Sequence, residues 1–552
     1  MEIKSVNKLL EKSIKENWER EALSNYQADT LLYKDVAESI RFLHICFENF
    51  GIAKGDKVAL CSRNQANWGV CFLSALTYGA VPVPILHEFK AENVHYLVNH
   101  SEARILFVDE VIWEGLSEEE MPELEAVVLI SNFKLLSSKS RADDIMEKAR
   151  NSFRAMYPQG LRPDDVAYHE DAPEELAMIN YTSGTSGFSK GVMLPYRSLY
   201  TNIYFAGHVA EPQETCESEV VAMLPSAHMY GLLFEFLFQF SIGAHIYFLT
   251  RLPSPKIILK AFGDIRPAVI ISVPLIMEKV YKSMIKPAVD RKKTYMRIPI
   301  LDQVMKKNIR NSMIDAFGGR FEEVILGGAA VNPEVEDFLY KIHFPFTIGY
   351  GMTECGPIVT YSKWWRAKKG SCGQAVPGCE IRIDSPNPHK VPGEVQVKGS
   401  NVFLGYYKNR EATGNAFTND GWLKTGDMGI MDSEGYLYLR GRSKCMILGP
   451  NGQNIYPEEL EAVINNVTYV VDSLVVEDSG GLTALIYPDH HQAGLDGLSR
   501  EDLEKRIRDG LPEINRRLPT FAQIRKIEFM PEDFERTPKR NIKRYLYQRN
   551  ND

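Results

Sequence analysis

No Cys-x-x-Cys pair occurs among the eight cysteines of this 552-residue chain. Cys46, Cys61, Cys71, Cys216, Cys355, Cys372, Cys379 and Cys445 are scattered, which argues against a zinc site or a disulfide frame and for reduced thiols buried as small hydrophobes. Positive charge is short as well: 64 Lys and Arg stand against 72 Asp and Glu, a net charge of −8. That excludes nucleic acid as the main partner. No run approaches the roughly 18 uninterrupted apolar residues of a membrane span. The longest candidate, from Met229 to Phe248, is broken by Glu235, Gln239 and His245. Met1-Glu2-Ile3-Lys4-Ser5 carries no apolar signal core. The expectation is a soluble cytoplasmic protein, compatible with peripheral contact at the inner face of a membrane and with a homodimer. Neither an internal repeat nor a low-complexity tract is visible, and no Ser/His/Asp or Cys/His arrangement supplies a side-chain nucleophile.

The length exceeds what one core supports, so two or more domains are expected. The 44% hydrophobic and 25% charged fractions are ordinary globular values. In the first half, short apolar runs alternate with helical stretches. Lys57–Leu60, Val81–Ile85, Arg104–Val108, Leu176–Tyr181, Ala268–Val273 and Glu323–Leu326 read as strands, and Trp68–Tyr78 as a helix. Strands separated by helices indicate βαβ units and a mostly parallel sheet. From about Ser371 short strands follow closely, at Glu380–Ile383, Gly393–Val397 and Tyr436–Leu439, and predict a small antiparallel module over about 371–440. A loop from Gly449 to Gln453 then leads into a helical run from Pro457. The expected fold class is α/β: a large N-terminal domain, 1–441, of layered βαβ sheets with the β-rich module, and a small mobile C-terminal α+β domain, 442–552. The basic tail from Arg536 to Arg549 reads as a solvated face.

Three segments carry chemistry. In the first, the strand-like run ending at Tyr181 empties into Thr182-Ser183-Gly184-Thr185-Ser186-Gly187-Phe188-Ser189-Lys190-Gly191. Glycine lets backbone N–H groups approach a polyphosphate, hydroxyls add donors or metal contacts, and the lysine offers a point charge. It is not a Walker A loop, which requires glycine where Ser189 stands; by itself such a loop is equally a surface turn. In the second, Gly349-Tyr350-Gly351-Met352-Thr353-Glu354 sets an aromatic face, a hydroxyl and a carboxylate between glycines, the parts of a stacking surface, a phosphate donor and a magnesium ligand. In the third, Thr425-Gly426-Asp427 holds a carboxylate on a glycine turn, suited to two ribose hydroxyls, and Arg442 follows with a forked donor. Alongside them, Gly327-Gly328-Ala329-Ala330 at a strand end allows a flat ring to approach, or simply punctuates a strand-to-helix turn. Leu224-Pro225-Ser226-Ala227-His228-Met229-Tyr230-Gly231 precedes an apolar run, Leu232 to Phe240, that suits either a lipid tunnel or a buried helix.

Taken in this order, the segments resemble the adenylate-forming superfamily of acyl-CoA synthetases, luciferases and peptide-synthetase adenylation domains, over roughly Leu31 to Leu546. Val273-Pro274-Leu275-Ile276-Met277-Glu278-Lys279-Val280-Tyr281, the basic connector through Arg297, and Thr537 to Arg544 look most like the long-chain fatty acyl-CoA synthetases. The resemblance implies a phosphate loop of Thr182, Ser183, Gly184, Thr185, Ser186, Gly187 and Lys190. It implies adenine beside Gly328, Ala329, Ala330 and Tyr350, with Gly349, Gly351 and Met352 completing that wall. Thr353 would contact the AMP phosphate, Thr182 and Glu354 would hold Mg²⁺, and Asp427 and Arg442 would take the ribose. His228 and Tyr230, with Gly328 and Gly351, would line the acyl pocket; a histidine at 228 is as readily a hydrogen-bonded structural residue. Lys444 would be the hinge and Gly452 would line the pantetheine tunnel. The implied catalytic set is Lys190, Thr353, Glu354, Lys444 and Lys543.

One departure matters. The family's adenylation lysine precedes the isoleucine of the tail motif, and here that position is Asn541. Lys543 and Lys539 flank it, but a shift of two residues redirects a side chain. Lesser departures are Ser186, Phe188, Ser189 and Tyr196. The implied reaction takes ATP, Mg²⁺, a fatty acid and coenzyme A: a carboxylate attacks the α-phosphate, then the thiol displaces AMP, the lid having swung about Lys444. Two alternatives stand beside it, an acyl-AMP ligase loading a carrier protein and a binding protein impaired in adenylation.

Overall fold

The computed structural model describes residues 3–139, 142–182, 189–209, 218–250, 254–287, 299–448, 454–478, 481–537 and 541–548. Val81–Ile85, Lys57–Cys61, Ala103–Val108 and Ala126–Leu129 lie side by side and parallel, and Leu135–Ser138 closes that sheet antiparallel. Every residue of Val81–Ile85 is buried, as a strand covered on both faces requires. The helix Ala66–Tyr78 is buried nearly all round, with Trp68 and Phe72 stacked inside the core. Parallel pairing also holds for Glu219–Ala222, His245–Phe248 and Glu21–Asn25, and for Ile270–Ser272, Val324–Leu326 and Phe346–Ile348.

As the layered sheets imply, the strands form several small sheets rather than one. The expected mostly parallel pairing is corrected in one respect. The strand entering the Ser/Thr/Gly loop, Leu176–Thr182, pairs antiparallel with the strand leaving it, Lys190–Pro195. The module expected from about Ser371 is antiparallel throughout: Cys379–Asp384, Gly393–Gly399, Leu423–Met431 and Leu437–Arg442. One piece of it leaves, for Gly405–Tyr406 pairs instead with Val192 and Met193 beyond the loop.

Buried apolar residues divide along the chain. The clusters built from Val6 to Leu437 share no member with those built from Ile455 to Phe534. The C-terminal sheet of Val470–Asp478, Gly481–Pro488 and Ile524–Phe529 carries the helix Pro457–Ile464 against its first strand. Polar contacts join the two parts: Asn332 Nδ2 donates to Asn466 Oδ1 at 2.6 Å and Lys282 Nζ to the Asn465 carbonyl at 3.3 Å. The tail is not simply a solvated face. Arg536 pairs with Asp472, and Arg544 with Glu461 and Glu458, so two of its cations fasten it to the domain. The described cysteines are unbridged, and most are buried. Among the described residues no helix is long and apolar enough to cross a membrane.

Candidate functional site

The antiparallel hairpin sets Thr182 opposite Lys190, one at each mouth of the loop. Ser183, Gly184, Thr185, Ser186 and Gly187 lie outside the described residues. Thr182 Oγ1 donates to the Lys190 carbonyl at 3.5 Å. Gly191 is needed for this closure, since a Cβ there would stand 3.0 Å from Ile179 and 3.2 Å from the Tyr181 ring.

Lys190 Nζ lies 4.8 Å from the centre of the Tyr406 ring, within cation–π range. The Tyr406 hydroxyl donates to Glu354 Oε1 at 2.8 Å, and burial together with that carboxylate pushes the phenol pKa upward. Thr353 and Glu354 are buried in a single tight turn. Phe403 N donates to the Glu354 carbonyl at 2.9 Å, tying that turn to the segment that carries Tyr406. Gly351 admits no side chain, because a Cβ would fall 2.3 Å from the Pro357 carbonyl oxygen. Met352 N donates to that same oxygen at 2.8 Å, while Gly349 meets only ordinary contacts.

Tyr350, five residues before Cys355, joins a second group. Its hydroxyl donates to Asp427 Oδ2 at 2.7 Å, and Arg442 Nε approaches Asp427 Oδ1 at 3.0 Å. Asp427 and Arg442 are cross-strand partners, so sheet register puts them together. Burial, then the neighbouring carboxylate, raises the Tyr350 phenol pKa well above its ordinary value.

A third group faces the end of Val324–Leu326. Tyr230 donates to the Ile325 carbonyl at 3.0 Å, and a Cβ on Gly327 would meet its ring at 3.0 Å. Gly328 has φ +84, the left-handed region that favours glycine. Gly328, Ala329 and Ala330 are exposed at the strand end, open to an approaching ring. His228 is half-buried, and its Nδ1 accepts from Tyr230 N at 3.3 Å. The apolar run beyond it winds as a π-helix, Leu232–Leu237, with every residue buried.

Matches to known proteins follow this geometry. A family profile described as AMP-binding enzyme covers residues 10–407, and one described as AMP-binding enzyme C-terminal domain covers 445–550. The chain belongs to the AMP-binding enzyme family. This AMP-binding enzyme is 27% identical over 555 residues to a long-chain-fatty-acid–CoA ligase of Mycobacterium bovis, covering 92% of this chain and 89% of that one. Its fold is that of ATP-bound MatB from Rhodopseudomonas palustris, with a TM-score of 0.77, 22% identity and 98% of each chain covered. The o-succinylbenzoate CoA synthetase of Bacillus subtilis, in complex with its acyl-adenylate, aligns at a TM-score of 0.75 and 20% identity, over 98% of this chain and 97% of that one.

Lys444 is exposed in the turn Ser443–Cys445, directly after Arg442, and Gly452 and Lys539 lie outside the described residues. Lys543 Nζ pairs with Glu535 at 3.1 Å and makes no ion pair with Glu354. Asn541 is exposed, its backbone closing a turn with Thr537. Tyr406 escaped the sequence reading altogether. It belongs to a two-residue strand with no periodicity, and the adjoining Gly405-Tyr406-Tyr407 was the only available signal.

Proposed function

We propose that this chain is an AMP-forming acyl-CoA ligase acting on long-chain fatty acids. The observation that carries the reading is the convergence of Lys190 and Glu354 on Tyr406 beside the phosphate-loop mouth, with Tyr350, Asp427 and Arg442 adjoining. Lys190 would bear on the phosphates, Thr353 on the AMP phosphate, and Asp427 with Arg442 on the ribose. One carboxylate and one hydroxyl, Glu354 and Thr182, suit Mg²⁺, which keeps waters and phosphates as its other ligands and would neutralise charge on the triphosphate. An oxygen of the fatty carboxylate attacks the α-phosphorus and the bond to the β-phosphate breaks, releasing pyrophosphate. The thiol sulfur of coenzyme A then attacks the acyl carbon, AMP leaves with the bonding electrons, and the thiol proton passes to solvent. Charge gathers on one phosphorus, so placed cations and donors supply most of the catalysis.

Residues 442–552 would act as the lid, with Lys444 as hinge; the division of the apolar clusters supports that boundary. The long-chain reading rests on the named activity of the mycobacterial relative; the run from Leu232 to Leu237 is a buried core helix. A second reading, impaired adenylation, draws on Asn541 and on the engagement of Lys543 with Glu535. Pyrophosphate release from ATP with acids of graded chain length, with and without coenzyme A, tests both. Each buried methylene contributes about 0.8 kcal/mol, so long acids should outcompete acetate. A preference for acetate or benzoate would remove the long-chain assignment. Release that ignores coenzyme A and yields no thioester would point to a carrier-protein acceptor.

A further inference from the structure

Glu235 sits in the middle of the π-helix, 1% exposed, with Leu232, Leu233, Phe236 and Leu237 buried around it. A carboxyl persists in such surroundings only if its oxygens find donors. Oε2 accepts from Leu224 N at 2.9 Å, the Met223 backbone also bears on the carboxyl, and Oε1 has no protein partner among the described residues. Met223 and Leu224 are the residues where the chain leaves strand Glu219–Ala222 and turns toward His228. Without Glu235 the Leu224 amide would lose this buried partner.

The rest of this turn is fastened in the same manner. Asn64 donates to the Leu224 carbonyl at 2.7 Å and accepts from Ser226 N at 2.8 Å, and Asn180 donates to the Ala227 carbonyl at 2.9 Å. Gly231 lets the carboxyl in, since a Cβ there would lie 2.9 Å from Leu224 Cβ and 3.3 Å from Glu235 Oε2. π-Helical turns recur at functional sites because they re-aim one side chain, and this one stands directly behind Tyr230.

We propose that Glu235 is a positioning residue for the acyl substrate: by holding the Leu224 amide it sets where the turn delivers His228 and Tyr230, the latter against the end of strand Val324–Leu326. The inference rests on the proposed function, in which those two residues line the acyl pocket. Burial holds the Glu235 carboxyl well above the usual carboxylate range, so neutral glutamine, whose amide oxygen accepts the same Leu224 N–H, is the conservative replacement.

The test is acid-dependent pyrophosphate release by the full chain, varying fatty acid at saturating Mg·ATP and then ATP at saturating acid. Glu235→Leu should raise KM for the acid by on the order of tenfold while KM for ATP stays within about twofold, and Glu235→Gln should restore most of the loss. A residue that merely supports the fold would move both constants or the amount of active enzyme. An unchanged acid KM in Glu235→Leu, a parallel rise in both constants, or glutamine no better than leucine overturns the proposal. If Glu235→Leu does not fold, Gly231→Ala presses on Leu224 and on the same carboxyl and should raise the acid KM alone; a wild-type value there overturns it as well. A wild-type chain that releases no pyrophosphate with any acid removes the functional reading and this inference with it, whereas an active wild type with silent variants removes this inference alone.

Discussion

Tyr406 joins Glu354 to Lys190: its hydroxyl reaches Glu354 Oε1 at 2.8 Å while its ring lies 4.8 Å from Lys190 Nζ. The tyrosine arrives on Gly405–Tyr406, which adds to the edge of the hairpin formed by Leu176–Thr182 and Lys190–Pro195. A carboxylate and an ammonium drawn from distant parts of the chain are thereby held at one surface without forming a direct ion pair. Neither charge is neutralised by the other, as the proposed binding of a polyphosphate and its metal would require.

Tyr406→Phe keeps the ring beneath Lys190 and removes only the hydroxyl on Glu354. A hydrogen bond to a charged group is worth about 1.5 to 3 kcal/mol, so acid-dependent pyrophosphate release should fall on the order of tenfold or more. Tyr406→Ala should cost more, because the cation–π contact goes as well. Wild-type rates in both variants would show that Glu354 needs no such support.

Lys190→Ala and Glu354→Ala should each depress adenylate formation strongly, with thermal midpoints near wild type. Phosphate and metal contacts in a preorganised site are worth several kcal/mol. Single-turnover measurement of acyl-adenylate checks this, and unchanged rates in both variants would remove the phosphate-loop assignment.

Asn541→Lys should accelerate acyl-adenylate synthesis and leave conversion of supplied acyl-adenylate to thioester unchanged. By analogy with an oxyanion donor, a missing cation at the phosphorus is worth roughly 2 to 4 kcal/mol. Lys543, paired with Glu535, is the comparison. If Lys543→Ala abolishes adenylation, that lysine has taken over the role and exchanges Glu535 for the substrate.

Glu461 is buried, and burial raises its carboxyl to about 7 despite the Arg544 guanidinium beside it. Its folded value lies above the unfolded one, so between these values the native state holds a proton that the unfolded chain has lost. This contribution to stability is complete below the unfolded value and declines as pH rises toward about 7. Thermal midpoints measured across that window should show Glu461→Gln gaining on wild type as pH increases. A constant gap between the two would exclude the titration.

Local patterning was enough for the elements whose surroundings are uniform. The all-buried Val81–Ile85 is legible because a strand covered on both faces reads as a continuous apolar run, and its extent was read without error. The glycine-bounded loop and the Tyr350 to Glu354 segment stood out as candidates for a related reason, since the proposed chemistry needs several residue types at adjacent positions. Pairing was less accessible. Whether Leu176–Thr182 meets its neighbour parallel or antiparallel depends on partners that periodicity does not name. Asp427 and Arg442 were candidates from sequence; sheet register makes them face each other. Tyr406, Glu235 and the clasping Asn64 and Asn180 had no local signature at all. Each acts across a long stretch of chain through one or two hydrogen bonds, and only the packed tertiary structure decides which distant donors and acceptors coincide. The tail divides in the same way. Its asparagine at 541 is plain in the sequence, whereas the engagement of Lys543 with Glu535 and of Arg544 with Glu461 belongs to the fold.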